Sequence, residues 1–191
     1  MSVTLVTGPV RSGKSRHAEQ LLADQAVVTY LATGRRADDG DPEWAERVHS
    51  HRRRRPEAWG VVETVDVEPV LRSADAPVLL DCLGTWLTGV VDEAGWDDLD
   101  AARAALRERV AGLLGALRAA PVHVVVVTNE VGWSLVPTTA SGRLFQDELG
   151  RLNAAVSGLA NRVHLVVAGR VLDLTAAPLV PDHLPPRTLD A

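Results

Sequence analysis

Short runs of β-branched and aliphatic residues recur along the chain, separated by stretches with helical spacing of apolar positions. The runs predict strands at Val3–Thr7, Val27–Leu31, Val61–Val65, Val78–Asp81, Val122–Thr128 and Val163–Ala168. Several are apolar along their whole length, as in parallel strands covered on both faces. Helical spacing predicts helices near Lys14–Asp24, Pro42–Arg53, Asp97–Arg118 and Ser141–Ala160. Alternating strands and helices predict an α/β chain on a mostly parallel sheet with helices on both sides. After the last long run, "AGRVLDL" predicts a short antiparallel edge strand. No internal repeat or linker divides residues 1–174, which read as one domain. Residues 175–191 hold "AAPLVPDHLPPRTLDA", whose four prolines suit a tail that wraps the surface or stays disordered.

Composition narrows the class. A chain of 191 residues with 46% hydrophobic and 24% charged positions can bury a core, which excludes disorder and fibres. A net charge of −5 makes general nucleic-acid binding a poor expectation. The single cysteine, Cys82, allows neither an internal disulfide nor a cysteine metal cluster, which suits a reducing compartment. "MSVTLVTGPV" lacks a basic segment before its apolar stretch, and runs such as "VHVVVVT" are too short to span a bilayer. The expectation is a cytoplasmic protein with no membrane span. Among the 20 basic residues only Lys14 is a lysine, so its place in the chain is informative.

Lys14 lies in "VTLVTGPVRSGKS". Gly8, Pro9, Val10, Arg11, Ser12, Gly13, Lys14 and Ser15 match G-x-x-x-x-G-K-[ST] between an apolar strand and a helix. Glycines there let backbone N–H groups turn towards phosphate oxygens, and the helix N-terminus adds positive potential. Lys14 is placed to reach the β- and γ-phosphates, and the Ser15 hydroxyl to ligate Mg2+. A partner carboxylate is expected at the end of another apolar strand, and Val78, Leu79 and Leu80 lead to Asp81. Asp81 reads either as a second Mg2+ ligand or as the cap of a following helix. Thr128–Asn129–Glu130 likewise reads as a ligand edge or as loop capping.

"RVHSHRRRRP", Arg47 to Pro56, sets two histidines against four arginines in an acidic chain. On a helix His49 and His51 point to nearly opposite faces, which argues against a shared metal ion. A solvated helix end explains the arginines through the helix dipole, with Pro56 as the stop. Nucleotide chemistry is the other reading. Arg47, His51 and Arg55 fall on one side of a continuing helix, where an imidazole nucleophile flanked by guanidinium groups suits attack on phosphorus. Such neighbours favour the unprotonated imidazole.

The segments "LVTGPVRSGKSRHAEQL", "YLATG", "ERVHSHRRRRPEAWGVVE", "VLLDCLGTWLTG", "VVTNEVGWSLVP", "GRLFQDELGRLNAAV" and "VHLVVAG" appear in an order that resembles one known family. It is the bifunctional adenosylcobinamide kinase / adenosylcobinamide-phosphate guanylyltransferase family of cobalamin biosynthesis. The resemblance covers about residues 3 to 170. It implies a three-layer, RecA-like P-loop nucleoside triphosphatase fold. It implies two reactions: phosphorylation of adenosylcobinamide by ATP or GTP, then transfer of GMP from GTP to the product with release of pyrophosphate. The second step passes through a guanylylated histidine, which aligns with His51 and leaves His49 at a variable position. Lys14 is the other catalytic residue implied.

Nucleotide contacts implied by the resemblance are Gly8 through Ser15, Thr33, Gly34, Arg35, Arg52, Arg53, Arg54, Arg55, Glu63 and Asp81, with Mg2+ on Ser15 and Asp81. Glu63 is the candidate for accepting from the guanine base. The resemblance also implies a corrinoid substrate and a homo-oligomer, a trimer. Three positions depart from the family pattern: Pro9 in the phosphate loop, Gly89 after Thr88, and Trp133–Ser134 after Gly132. Two other functions remain open from the residues: a different small-molecule P-loop kinase without nucleotidyl transfer, and a regulatory nucleotide-binding protein without catalysis.

Overall fold

The computed structural model describes residues 2–34 and 42–180, without the side chains of Glu43, Trp44, Arg47, Ser50, His51 and Arg54. Its strands are β1 (Ser2–Thr7), β2 (Thr29–Ala32), β3 (Gly60–Glu63), β4 (Val78–Asp81), β5 (His123–Val127), β6 (Arg162–Val167) and β7 (Arg170–Asp173). They form one seven-stranded sheet in the order β3-β2-β4-β5-β1-β6-β7. Every neighbouring pair is parallel except β6 and β7. The antiparallel edge read from "AGRVLDL" is therefore present. Ala168 and Gly169 close its hairpin with φ of 50° and 71°, the left-handed pair that a two-residue turn of this hand needs.

The apolar runs are explained by helices on both faces. Alternate residues of a strand point to opposite sides. Val3, Leu5, Val78, Leu80, Val124 and Val126 enter the larger core with α3 (Val67–Ser73), α4 (Leu83–Ala94), α5 (Leu99–Ala119) and α6 (Ala140–Leu159). Val6, Leu79, Val125 and Val127 enter the smaller one with Ala18 of α1 (Lys14–Gln20), Leu22, Tyr30 and Trp59. The remaining helix, α2 (Pro42–Arg54), leads into β3.

Element ends differ from the sequence expectation by up to four residues. β2 begins at Thr29, where its pairing with Gly60 and Val78 starts; Val27 is exposed, and Val28, although buried, precedes that ladder. α1 stops at Gln20 rather than Asp24, and the chain continues in turns tightened by Leu22 N–H to Glu19 O and Ala23 N–H to Gln20 O. Two helices were not anticipated. α3 is only seven residues long and carries Pro69 in its first turn. In α4, Leu83, Trp86, Leu87, Val90 and Val91 do recur at helical spacing, but Gly84, Gly89 and the β-branched residues between them mask the signal.

The glycine at 89 has a packing reason. A Cβ there would lie 2.6 Å from Cγ2 of Val65, so α4 seats directly on the link from β3 to α3. The Val65 carbonyl accepts from Trp86 Nε1 and from Arg109 Nη2, both at 3.0 Å. Among the described residues no helix is long and apolar enough to cross a membrane. Residues 175–180 follow β7 as a largely exposed segment; the rest of the proline-rich tail lies outside the described residues. Replacing the buried Trp86 with alanine removes both the ring and the bond to Val65. We expect a loss of about 3–5 kcal/mol in unfolding free energy, measured by urea titration.

Candidate active site

In a parallel sheet the crevice for ligands lies beyond the carboxyl ends of the strands. β1 ends at Thr7, and the chain turns through Gly8 to Gly13 before α1 opens at Lys14. Gly8 lies so close to β6 that a Cβ would come 2.2 Å from the Val166 carbonyl oxygen. Gly13 caps α1 with φ 98°, and Arg11 is also left-handed at φ 60°. A bond from Ser12 N–H to the Pro9 carbonyl at 3.3 Å closes the turn, so Pro9 serves as an acceptor where no donor is required. Lys14 and Ser15, the first two helical residues, stand at the positive end of α1. Ser12 Oγ is buried without a hydrogen-bond partner, a polar atom aimed into the loop.

Asp81 ends β4, two strands from β1. It does not cap α4. That cap is Cys82, whose N–H donates to Thr85 Oγ1 at 3.3 Å. The Asp81 carboxylate instead accepts from the hydroxyl of Tyr30 at 2.6 Å. Burial, then the Asp81 charge, push the Tyr30 phenol well above its ordinary pKa, so it remains a donor. On the face of the same ring lies the Arg55 guanidinium, 3.6 Å from the centroid. Tyr30 is thus the residue that sequence reasoning missed. It is the only tyrosine in the chain and sits inside an apolar run, the one signal that marks it.

Thr33 is buried, and its hydroxyl lies 2.8 Å from both the Cys82 carbonyl and Thr85 Oγ1. These bonds hold the end of β2 against the start of α4. The neighbouring Gly34 and Glu63, at the end of β3, complete the carboxyl edge on that side. Burial, then the Asp81 charge, raise the Cys82 thiol, which disfavours a reactive thiolate here.

Beyond β5 the triplet Thr128–Asn129–Glu130 caps no helix, since α6 is capped by Thr139. Glu130 N–H donates to the Gly8 carbonyl at 3.1 Å, and its carboxylate accepts from the Thr7 hydroxyl. Thr128 donates to Asn153 Oδ1 at 2.6 Å, and Asn153 Nδ2 donates to the Asn129 carbonyl at 3.0 Å. The triplet therefore locks the phosphate loop to α6. Asn129 Oδ1 is buried and has no partner, a second polar atom open to a ligand at this edge.

The described side chains of the arginine run have different neighbours. Arg55 is brought to Tyr30, whereas Arg53 pairs with Glu46 at 2.7 Å on the exposed side of α2 and Arg52 is exposed. That pairing lowers the Glu46 pKa. His49 is exposed as well. His51 lies on the backbone of α2; its side chain and that of Arg54 lie outside the described ones, as does Arg35.

Residues 4–174 match the profile of the CobU family, cobinamide kinase / cobinamide phosphate guanyltransferase. The chain belongs to that family. It is 41% identical over 175 residues to the bifunctional adenosylcobalamin biosynthesis protein CobU of Escherichia coli (strain K12), covering 86% of this chain and 95% of that protein. It is 38% identical over 180 residues to the bifunctional adenosylcobalamin biosynthesis protein CobP of Pseudomonas aeruginosa, covering 92% and 98%. The fold also resembles an ATPase from a bacterial type III secretion system, with a TM-score of 0.51 at 10% identity, covering 96% of this chain and 60% of that one. The expected three-layer P-loop fold is therefore present.

For a CobU-family chain the donors at this edge suit Mg2+. Ser15 and Asp81 offer hard oxygen ligands, and Mg2+ usually takes one or two of these with phosphate and water completing its sphere.

Beneath the loop, His17 of α1 meets His164 of β6, with Nε2 and Nδ1 3.0 Å apart. Burial first, and the His164 charge second, hold the His17 pKa below 6.5. Burial, Arg162 and the N-terminal ammonium do the same to His123. Both imidazoles take up a proton less readily folded than unfolded, so their stabilisation is full above the unfolded value and fades as pH falls through the lowered folded one. The melting temperature should therefore drop between about pH 7.5 and pH 5.5, and less steeply in His17→Gln. Gly8→Ala should weaken GTP binding by ~10-fold or more, roughly 1.4 kcal/mol, because the added Cβ meets backbone that cannot move aside. Titration calorimetry reads that loss.

Proposed function

We propose that the chain phosphorylates the aminopropanol hydroxyl of adenosylcobinamide with ATP or GTP, then transfers GMP from GTP to that phosphate through His51. The observation that carries this reading is the meeting of three features at one sheet edge in a CobU-family chain. They are the Gly8–Ser15 loop, the Asp81 carboxylate held by Tyr30, and the end of the histidine–arginine segment held by Arg55 on the same Tyr30 ring.

In the kinase step the backbone N–H groups of the loop and Lys14 hold the triphosphate and stabilise charge on the transferring oxygens. Bound Mg2+, held by Ser15 and Asp81, supplies further charge neutralisation. In the transfer step the imidazole of His51 attacks the α-phosphorus of GTP, the bond to the β-phosphate breaks, and pyrophosphate leaves. The imidazolium then loses its remaining acidic proton to solvent. An oxygen of the corrinoid phosphate next attacks the same phosphorus, the P–N bond breaks as the ring takes a proton back from solvent, and neutral His51 is restored. Dividing the substitution in two means that GTP and the corrinoid phosphate need not be bound together.

Arg55 is read as meeting phosphate oxygens once nucleotide arrives, and Glu63, the last residue of β3, as the acceptor for guanine N–H groups. Thr33 acts through structure, since its hydroxyl bonds Cys82 and Thr85. Assembly as a homotrimer belongs to the same reading.

His51→Ala should abolish guanylyl transfer and leave phosphorylation of adenosylcobinamide within a few fold, whereas Lys14→Ala should lower both. Incubation of the wild type with α-labelled GTP and Mg2+ should yield a protein adduct that is acid-labile and base-stable, and chelation should prevent it. Unimpaired transfer by His51→Ala would refute the covalent step.

A further inference from the structure

The segment between Glu130 and α6 presents its largest apolar side chains to solvent. Trp133 is 61% exposed, Val136 76% and Leu135 93%. A scattered apolar side chain on a surface needs no explanation, but three within four positions at the edge of a reaction crevice do. Their backbone is not loose. Ser134 Oγ donates to the Val131 carbonyl at 3.0 Å, and Gln146 Nε2 from α6 donates to the same carbonyl at 3.3 Å. Arg143 Nη1 donates to the carbonyls of Pro137 and Thr138, both at 3.0 Å. Thr139 Oγ1 accepts from Gly142 N–H at 3.1 Å. At Gly142 a Cβ would come 2.8 Å from Cβ of Pro137, so the far end of the segment sits tightly on the helix. The chain thus spends its polar groups on holding this backbone in place; Val131 packs against the larger core, while Trp133, Leu135 and Val136 belong to neither core.

The position of the segment says what it faces. It starts at Glu130, whose N–H bonds the Gly8 carbonyl, so Trp133 is three residues from the wall of the phosphate loop. At no more than 3.8 Å per Cα step, that is within about 11 Å of it along the chain. Within the loop itself Val10 is also exposed, at 57%. Phosphate and ribose have no use for such a surface. A tetrapyrrole-derived macrocycle does: its ring edge and rim methyl groups are apolar between its polar side arms, it is many times larger than the hydroxyl arm that reacts, and it must lie beside the phosphate loop while that arm reaches in.

Resting on the corrinoid reading above, we infer that residues 131–137 form the platform for the corrin macrocycle, with Trp133, Leu135 and Val136 contacting it directly. A second copy of the chain is a weaker occupant. Three side chains offer only part of the about 800 Å2 per partner that a stable interface buries.

The test is a Trp133→Ala/Leu135→Ser double variant of the full chain. Both side chains are exposed, so the fold should survive, as circular dichroism and the melting temperature will report. Wild-type kinase activity on adenosylcobinamide is measured first; its absence would sink the corrinoid reading itself, visible before any variant is made. The KM for adenosylcobinamide should rise about tenfold to a hundredfold, the loss of two well-buried apolar contacts in the complex, with the Kd for GTP unchanged. An unchanged corrinoid KM overturns the platform. So does a weakened GTP Kd, which would put the segment in the nucleotide site. A drop in oligomer mass by light scattering with the corrinoid KM intact assigns the surface to a second copy and also overturns it.

Discussion

The phosphate loop takes its place because the backbone of Gly8 lies flat against the carbonyl of Val166, at a spacing where only hydrogen fits. That approach fixes where the chain leaves β1, and with it where α1 begins and where its positive end points. A Cβ on Gly13 would come 4.0 Å from the Val166 side chain, so the same residue of β6 lies beside both glycines of the loop. The sheet order makes this possible, because β1 lies between β5 and β6. Both neighbours run parallel to it, so all three deliver their polar ends to the same edge.

Polar groups at that edge must find partners or ligands, since leaving them unpaired in a half-buried crevice is costly. Most are paired within the protein. Glu130 and Thr7, Thr128 and Asn153, Thr33 and Cys82, and Tyr30 and Asp81 each link two different elements. These pairs tie the neighbouring elements together at the crevice, and one of them engages Asp81 through a single carboxylate oxygen. Among the described residues, Ser12 Oγ and Asn129 Oδ1 are buried at this edge without a hydrogen-bond partner. The paired frame contrasts with the segment after Glu130, whose backbone is equally well held but whose apolar side chains are turned outward.

Much of this was legible in the residues. Runs such as Val124–Val127 state two-sided burial directly, and G-x-x-x-x-G-K-[ST] between a strand and a helix states phosphate binding by composition and position together. α4 was missed although its apolar spacing is regular, because two glycines and several β-branched residues mask helical propensity that burial then overrides. Arg52, Arg53, Arg54 and Arg55 read together only through the family resemblance. In the structure Arg53 pairs with Glu46 and Arg55 lies on the Tyr30 ring, contacts that no local spacing announces. Tyr30 is marked only by being the single tyrosine inside an apolar run, which does not say what it meets.

The sequence by itself determined the strand–helix alternation, the phosphate loop and the family, because each depends on neighbours a few residues apart or on an order of motifs along the chain. Only the tertiary structure decided that Asp81 serves the crevice rather than capping α4, that Tyr30 joins Arg55 to Asp81, and that Glu130 holds the phosphate loop. Those relations connect positions separated by up to 123 residues, such as Thr7 and Glu130. They exist because parallel strands bring their carboxyl ends to one edge, and nothing in the local sequence encodes which ends become neighbours.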